Sequence, residues 1–236
     1  MNILIQPPKT NVEPGQRFML WQIGWYAYEK FLEAMAEHCV RTTYDRGDLE
    51  LMSPLPIHEA IAYWFGHFIQ VLAEELDFSC WPVGGPTLRR RDLDRGLEPD
   101  DCYYLANAAK VENWATLNLD RDPPPDLALE VEITCNCLDR MGVYAKLGVP
   151  EIWRFDGEEW RIHLLGADGL YWESPVSAAL PYLPIAELMP LLRESLHRGD
   201  LRERFRILRR WAHERALPLR QAWEQQQQSP PGGSNP

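Results

Sequence analysis

Between residues 126 and 134 the chain reads D-L-A-L-E-V-E-I-T. This strict alternation predicts a β-strand with Leu127, Leu129, Val131 and Ile133 on one face and Ala128, Glu130, Glu132 and Thr134 on the other. The three prolines at 123–125 stop any preceding element and give that strand a defined start. Upstream, Trp25, Tyr28, Phe31, Leu32 and Met35 recur at helical spacing and predict an amphipathic helix over 25–38. Two β-prone runs, 41–44 and 48–52, are joined by D-R-G at 45–47 and read as a hairpin, with Glu50 on the face opposite Leu49 and Leu51. After the S-P-L-P break at 53–56, a helical pattern opening at His58 carries Ile61, Trp64, Phe65, Phe68, Val71, Leu72 and Leu76 along one side.

The run 87–91 precedes a polar turn, and the end of 97–105 reads as a strand with Asp100 at its entry. Residues 106–118 read as a weak helix. Beyond the central strand, Asn136 is the expected cap of a short helix with Asp139 in its first turn, closed by Gly148 and Pro150. The runs 151–155, 160–165 and 170–174, separated by turn residues, predict an antiparallel meander, and a helix around 185–196 follows. Leu201, Phe205, Leu208, Trp211 and Ala212 then recur at helical spacing among many arginines, which reads as a separate arm. The four glutamines at 225–228 and the S-P-P-G-G-S-N-P end carry too little apolar surface to order themselves. The expected organisation is an N-terminal arm (1–17), an α/β domain of the α+β kind (18–197), a helical extension (198–224) and a low-complexity tail (225–236).

Composition narrows the function classes. With 236 residues, 45% of them hydrophobic, the chain can bury a core without covalent staples. No apolar run approaches a membrane span and the N-terminus lacks a signal-peptide pattern, so no membrane is expected and the cytoplasm is the default. Five cysteines are an odd number, and C-N-C at 135–137 is too tight for a zinc pair; reduced thiols are expected. A net charge of −11 opposes tight, indiscriminate binding of a polyanion. Only Lys9, Lys30, Lys110 and Lys146 can supply an amine.

Acidic residues lie in three β segments: Glu50, then Glu98 and Asp100 around Pro99, then Glu130 and Glu132 two positions apart on one face of the central strand. Taken alone, that face reads as solvated and E-P-D as a surface turn. Taken together, hard oxygen donors in this number suit Mg2+, with Mn2+ as an alternative, and such an ion supports phosphodiester hydrolysis. Arg89, Arg90 and Arg91 could steer a phosphate backbone, but with Asp92 and Asp94 behind them a salt-bridged solvated edge is the commoner arrangement. Tyr144 and Trp153 read as core.

The order and wording of these motifs carry more. G-D-L-E-L-M-S-P at 47–54 followed by His58, E-P-D at 98–100, P-D-L-A-L-E-V-E-I-T at 125–134 and D-R-M-G-V-Y-A-K-L-G-V-P-E-I-W-R at 139–154 closely resemble the Uma-type family of restriction-endonuclease-like proteins, within the PD-(D/E)XK nuclease superfamily. The resemblance spans roughly 18–195. It implies a restriction-endonuclease-like fold, a mixed central sheet flanked by helices, together with DNA as substrate, a divalent metal and a homodimer. It also implies that Asp100 and Glu130 are metal ligands, that Glu50 adds a direct or outer contact, and that His58 orients a phosphate or water. Where E-X-K places its lysine, this chain has Glu132. An acidic side chain cannot offset negative charge developing on a phosphate. Either Glu132 joins the metal site and Arg140, on the following helix, supplies the positive charge, or catalysis is lost and a DNA- or partner-binding module remains. Lys146, six residues beyond Arg140, is expected to face elsewhere.

Overall fold

The computed structural model describes residues 16–36, 40–133, 136–196 and 200–228. One sheet holds β1 (Arg17–Leu20), β2 (Arg41–Asp45), β3 (Asp48–Met52), β5 (Leu88–Arg90) and β6 (Arg95–Leu97), in the order β1-β3-β2-β6-β5, with every neighbouring pair antiparallel. The other holds β4 (Trp81–Pro82), β7 (Asp101–Tyr104), β8 (Leu127–Val131), β9 (Glu151–Phe155), β10 (Trp160–Leu165) and β11 (Tyr171–Ser174), in the order β11-β10-β9-β8-β7-β4. Only β8 and β9 run parallel within it, and they are joined by the crossover helix α3 (Arg140–Leu147), as a parallel connection requires. The remaining helices are α1 (Trp25–Met35), α2 (Pro56–Leu76), α4 (Ile185–Leu196), α5 (Leu201–Trp211) and α6 (Leu217–Gln228).

The alternation along the central strand is realised, and both of its faces are covered. Leu127, Leu129 and Val131 join Phe65, Phe68, Ile69 and Leu72 of α2 and Trp153 of β9 in the largest apolar cluster. Ala128, on the opposite face, meets Val143, Tyr144 and Leu147 of α3, together with Leu88 and Leu97 of the first sheet. Helix α3 is therefore sandwiched between the two sheets, and the face that carries Glu130 lies in the interior. On the outer side of the first sheet, Tyr28 of α1 stacks on Tyr44 of β2 at 4.4 Å between ring centroids. Gly96 makes room for this, since a Cβ there would come within 2.6 Å of the Tyr28 hydroxyl.

The end of 97–105 is a strand with Asp100 at its entry, as expected; β6 ends at Leu97 in one sheet and β7 begins at Asp101 in the other, so Glu98, Pro99 and Asp100 are the step between sheets. Several other expectations are corrected. Residues 106–118 form two short 3-10 turns, Ala108–Lys110 and Trp114–Thr116. Helix α3 is capped by Asp139, whose carboxylate accepts from the Gly142 N–H at 3.0 Å, and not by Asn136. The C-terminal helix runs on through a π-helical stretch, Ala212–Ala216, to Gln228, so the glutamine run is helical. Leu208, Ala212 and Ala216 belong to the main core beside α2 rather than to a detached arm. Arg17, assigned to the N-terminal arm, opens β1. The last residues of the expected first helix, Thr134, most of the N-terminal arm and the S-P-P-G-G-S-N-P end lie outside the described residues. Among the described residues no helix is long and apolar enough to cross a membrane.

Candidate active site

The site is built where the step between sheets meets the middle of β8. Asp100 immediately precedes β7, and its backbone N–H donates to the Leu129 carbonyl at 3.2 Å. One of its carboxylate oxygens accepts from the Val131 N–H at 2.6 Å. Since Asp101 pairs with Leu129, the register continues with Asp100 opposite Glu130, which places both carboxylates on one face. Both are buried, with 8% and 5% of their surface exposed. Burial, and then the like charge of Glu130, pushes the Asp100 carboxyl up to about 7, while Arg41, the Val131 N–H and Arg140 act in the opposite direction.

Arg140, the first residue of α3, holds Glu130 through two nitrogens: Nε donates to Oε2 at 3.0 Å and Nη2 to Oε1 at 2.6 Å. Its other bonds go to the Thr43 hydroxyl and to the Glu98 carbonyl, the latter at 2.8 Å. Negative charge around it outweighs its desolvation and raises its pKa, so the guanidinium stays charged. One helical turn on, the Tyr144 hydroxyl also donates to Glu130. Tyr144 is thus core, as expected, and a ligand of the site as well.

Glu50 points to the same side, because its cross-strand partner is Thr43, which accepts from Arg140. It is engaged by Arg17 and by the backbone N–H groups of Cys137 and Leu138, so it anchors the loop that enters α3. His58, on the first turn of α2, is 2% exposed, and neither ring nitrogen has a hydrogen-bond partner among the described residues. Burial and then the charge of Arg17 lower its pKa, with Glu130 and Glu59 opposing. Glu132 pairs with Arg154 of β9, the residue directly opposite Glu130, and the Arg154 Nε donates to it at 2.6 Å.

The structure therefore brings Asp100, Glu130 and Arg140 together, sets Glu50 and His58 at their margin, and holds Glu132 on Arg154 beside Glu130. Among the described residues, no group of three or more His, Cys, Asp and Glu side chains is arranged to hold a metal ion. Each of the four carboxylates instead faces an arginine: Glu50 with Arg17, Asp100 with Arg41, Glu130 with Arg140 and Glu132 with Arg154. Compensation is weakest at Asp100, where Arg41 Nε lies 3.8 Å from the carboxylate, beyond hydrogen-bonding distance. Asp100 is thus the hard oxygen donor least matched by positive charge, next to a Glu130 already held by Arg140, and Mg2+ can bind through one or two carboxylates, water and a substrate phosphate. Arg17, Arg41 and Tyr144 were not legible as parts of this site. Only Tyr144 carried a signal, its spacing of four from Arg140 on one helix face. The Arg89–Arg91 run is a salt-bridged edge, with Arg90 on Asp92 and Arg89 3.7 Å from Glu29. Cys80, Cys102 and Cys137 are free thiols.

A sheet bearing Asp100 at the entry of one strand and Glu130 on the next, flanked by helices, defines a restriction-endonuclease-like α+β protein. The model of the Uma2 family, described as "Putative restriction endonuclease", matches residues 28–201, and the chain belongs to that family. No curated protein matches the chain.

Proposed function

We propose that this protein is a divalent-cation-dependent DNA endonuclease that hydrolyses phosphodiester bonds as a homodimer. The observation that carries this is the buried Asp100–Glu130 pair on neighbouring strands, with the Asp100 carboxyl pushed up to about 7 by burial and by its neighbour. Asp100 and Glu130 would hold Mg2+, or Mn2+ in its place. Such an ion polarises the phosphodiester and lowers the pKa of an attacking water. The chain's own groups set the stage for that chemistry. Arg140 and Tyr144 fix the Glu130 carboxylate in one orientation, and Glu50 secures the loop entering α3 so that Arg140 stays in place. His58, buried beside the pair with its pKa lowered by burial and neither ring nitrogen partnered among the described residues, would act on a buried water rather than reach the phosphate itself. Glu132, neutralised by Arg154, contributes no net negative charge against the phosphate.

Supercoiled plasmid incubated with the protein and Mg2+ or Mn2+ should be linearised, as two sites acting on two strands require. Asp100→Asn, which keeps the shape and the acceptor for Val131, should lower the rate by at least about 100-fold, the scale seen when a transition-state electrostatic group is lost. Equal cleavage by both proteins would show the activity to be foreign.

A second reading, a catalytically degenerate DNA- or partner-binding module, is favoured by one observation. Glu130 is already engaged by Arg140 and Tyr144, and Glu132 stands where the superfamily motif has its lysine. It predicts DNA binding with no cleavage by the native chain, and gain of cleavage in Glu132→Lys.

A further inference from the structure

With Glu132 acidic, a phosphate arriving at Asp100 and Glu130 needs a cation from elsewhere in the chain. Arg140 cannot move to it: it is 8% exposed, and its bonds to Glu130, Thr43 and Glu98 occupy Nε and both Nη atoms. The described lysines do not face the site either. Lys30 bonds Glu33, Lys110 bonds Asn107, and Lys146 is exposed on α3 while Tyr144 and Leu147 point inward. Arg17 is held against the buried Glu50, and Arg154, the cross-strand neighbour of Glu130 on β9, is held by Glu132.

Arg41 differs from these. Its Nε faces Asp100, its Nη1 donates to the Pro99 carbonyl, and its Nη2 donates at 3.0 Å to Glu59, a side chain 53% exposed on the first turn of α2. It also borders an open groove of about 730 Å3 lined by Thr42, Glu59, Gly85, Thr87 and Glu98. Its seat is shaped by the backbone, because a Cβ at Gly85 would overlap both Arg41 Nη1 and the Pro99 carbonyl. A guanidinium poised between a buried carboxylate and a solvent-exposed one can release the exposed partner more readily than the buried one, since water screens the exposed side of the pair.

We propose that Arg41 is the side chain that takes the charge of the substrate phosphate, exchanging Glu59 for a phosphate oxygen while its Nη1 stays on Pro99, so that Glu59 acts as a latch on the site. This rests on the nuclease function proposed above. The planar fork of arginine suits two phosphate oxygens, and the short reach to Asp100 puts the bound phosphate beside the carboxylate pair.

The test is fluorescence anisotropy of a short labelled DNA duplex, with Ca2+ replacing Mg2+ and the KCl concentration varied. Arg41→Ala should weaken binding about tenfold or more. It should also reduce the slope of log affinity against log salt by about 0.9, one phosphate contact. Arg41→Lys should keep that slope and lose only part of the affinity. Glu59→Gln should act the other way and tighten binding by about two- to fivefold, the worth of an exposed ion pair. Weaker binding in Glu59→Gln, an unchanged salt slope in Arg41→Ala, or no DNA binding by the native chain would overturn the assignment. Should Arg41→Ala fail to fold, the surface variant Glu59→Gln still decides by its sign. DNA held through Arg41 but never cut in Mg2+ would remove hydrolysis and leave this contact standing. Plasmid cut in an Asp100-dependent way, with the Arg41 and Glu59 variants behaving like the native chain, would do the reverse.

Discussion

Glu130 and Asp100 sit side by side but are treated differently by their surroundings. Glu130 accepts from Arg140 and Tyr144, whereas Asp100 has a single backbone donor and an arginine too far away to bond. That difference has a consequence for stability. The Asp100 carboxyl ordinarily titrates near 3.8 and in the fold near 7, so between those values the folded chain keeps a proton that the unfolded chain has lost. Stability, measured by urea unfolding in EDTA, should therefore fall as pH rises from about 4 to about 7, and the fall should be absent from Asp100→Asn. Parallel pH profiles for the two proteins would contradict this. Asp100, Glu130 and Arg140 were legible because each lies inside a motif. Arg17 and Arg41 were not, because each earns its place through partners distant in the chain, Glu50 for one and Pro99 and Asp100 for the other.

Among the elements, α3 matters most to the site, since it delivers Arg140 and Tyr144 from a helix of eight residues. So short a helix depends on its ends: Asp139 caps the start, and Gly148, at φ 80, closes it in the left-handed conformation that glycine adopts without penalty. Asp139→Ala should destabilise the protein by about 1 kcal/mol, read as a lower urea midpoint, because the Gly142 N–H loses its acceptor. An unchanged midpoint would mean that packing alone holds the helix. Strands β2, β3 and β7 to β11 and helix α2 were legible from their patterns, and so was the end of α3 from G-V-P, whereas β1, β4, β5 and β6, each of two to four residues, are too short to show a period. What failed has local physical reasons. Over 106–118 the side chains outbid the helix for the backbone: Asp126 accepts from the N–H groups of Leu105 and Asn107, and Asp122 from those of Glu112 and Asn118. The glutamine run is helical because it continues α6, which follows without a break from the packed helix α5. The break at Pro99 was visible as a proline, but that it moves the chain from one sheet to the other depends on pairing partners that no single segment specifies.

At the scale of the whole molecule, two sheets with α3 between them gather residues from β2, β3, α2, the step at 98–100, β8 and α3 around one buried charge cluster. The chain carries a net charge of −11, yet at this cluster four carboxylates are matched by four arginines. The fold thus provides its own counter-ions, and the dication proposed above would enter at the place where they fit least well, beside Asp100. Mn2+ binding, followed by the electron paramagnetic resonance signal of the free ion during titration, reads this directly. The native chain should remove one Mn2+ per chain from solution, with competition by Mg2+, and Asp100→Asn should lose that uptake. Equal uptake by the native chain and Asp100→Asn, or none by either at millimolar Mn2+, would contradict a cation site built on the Asp100–Glu130 pair.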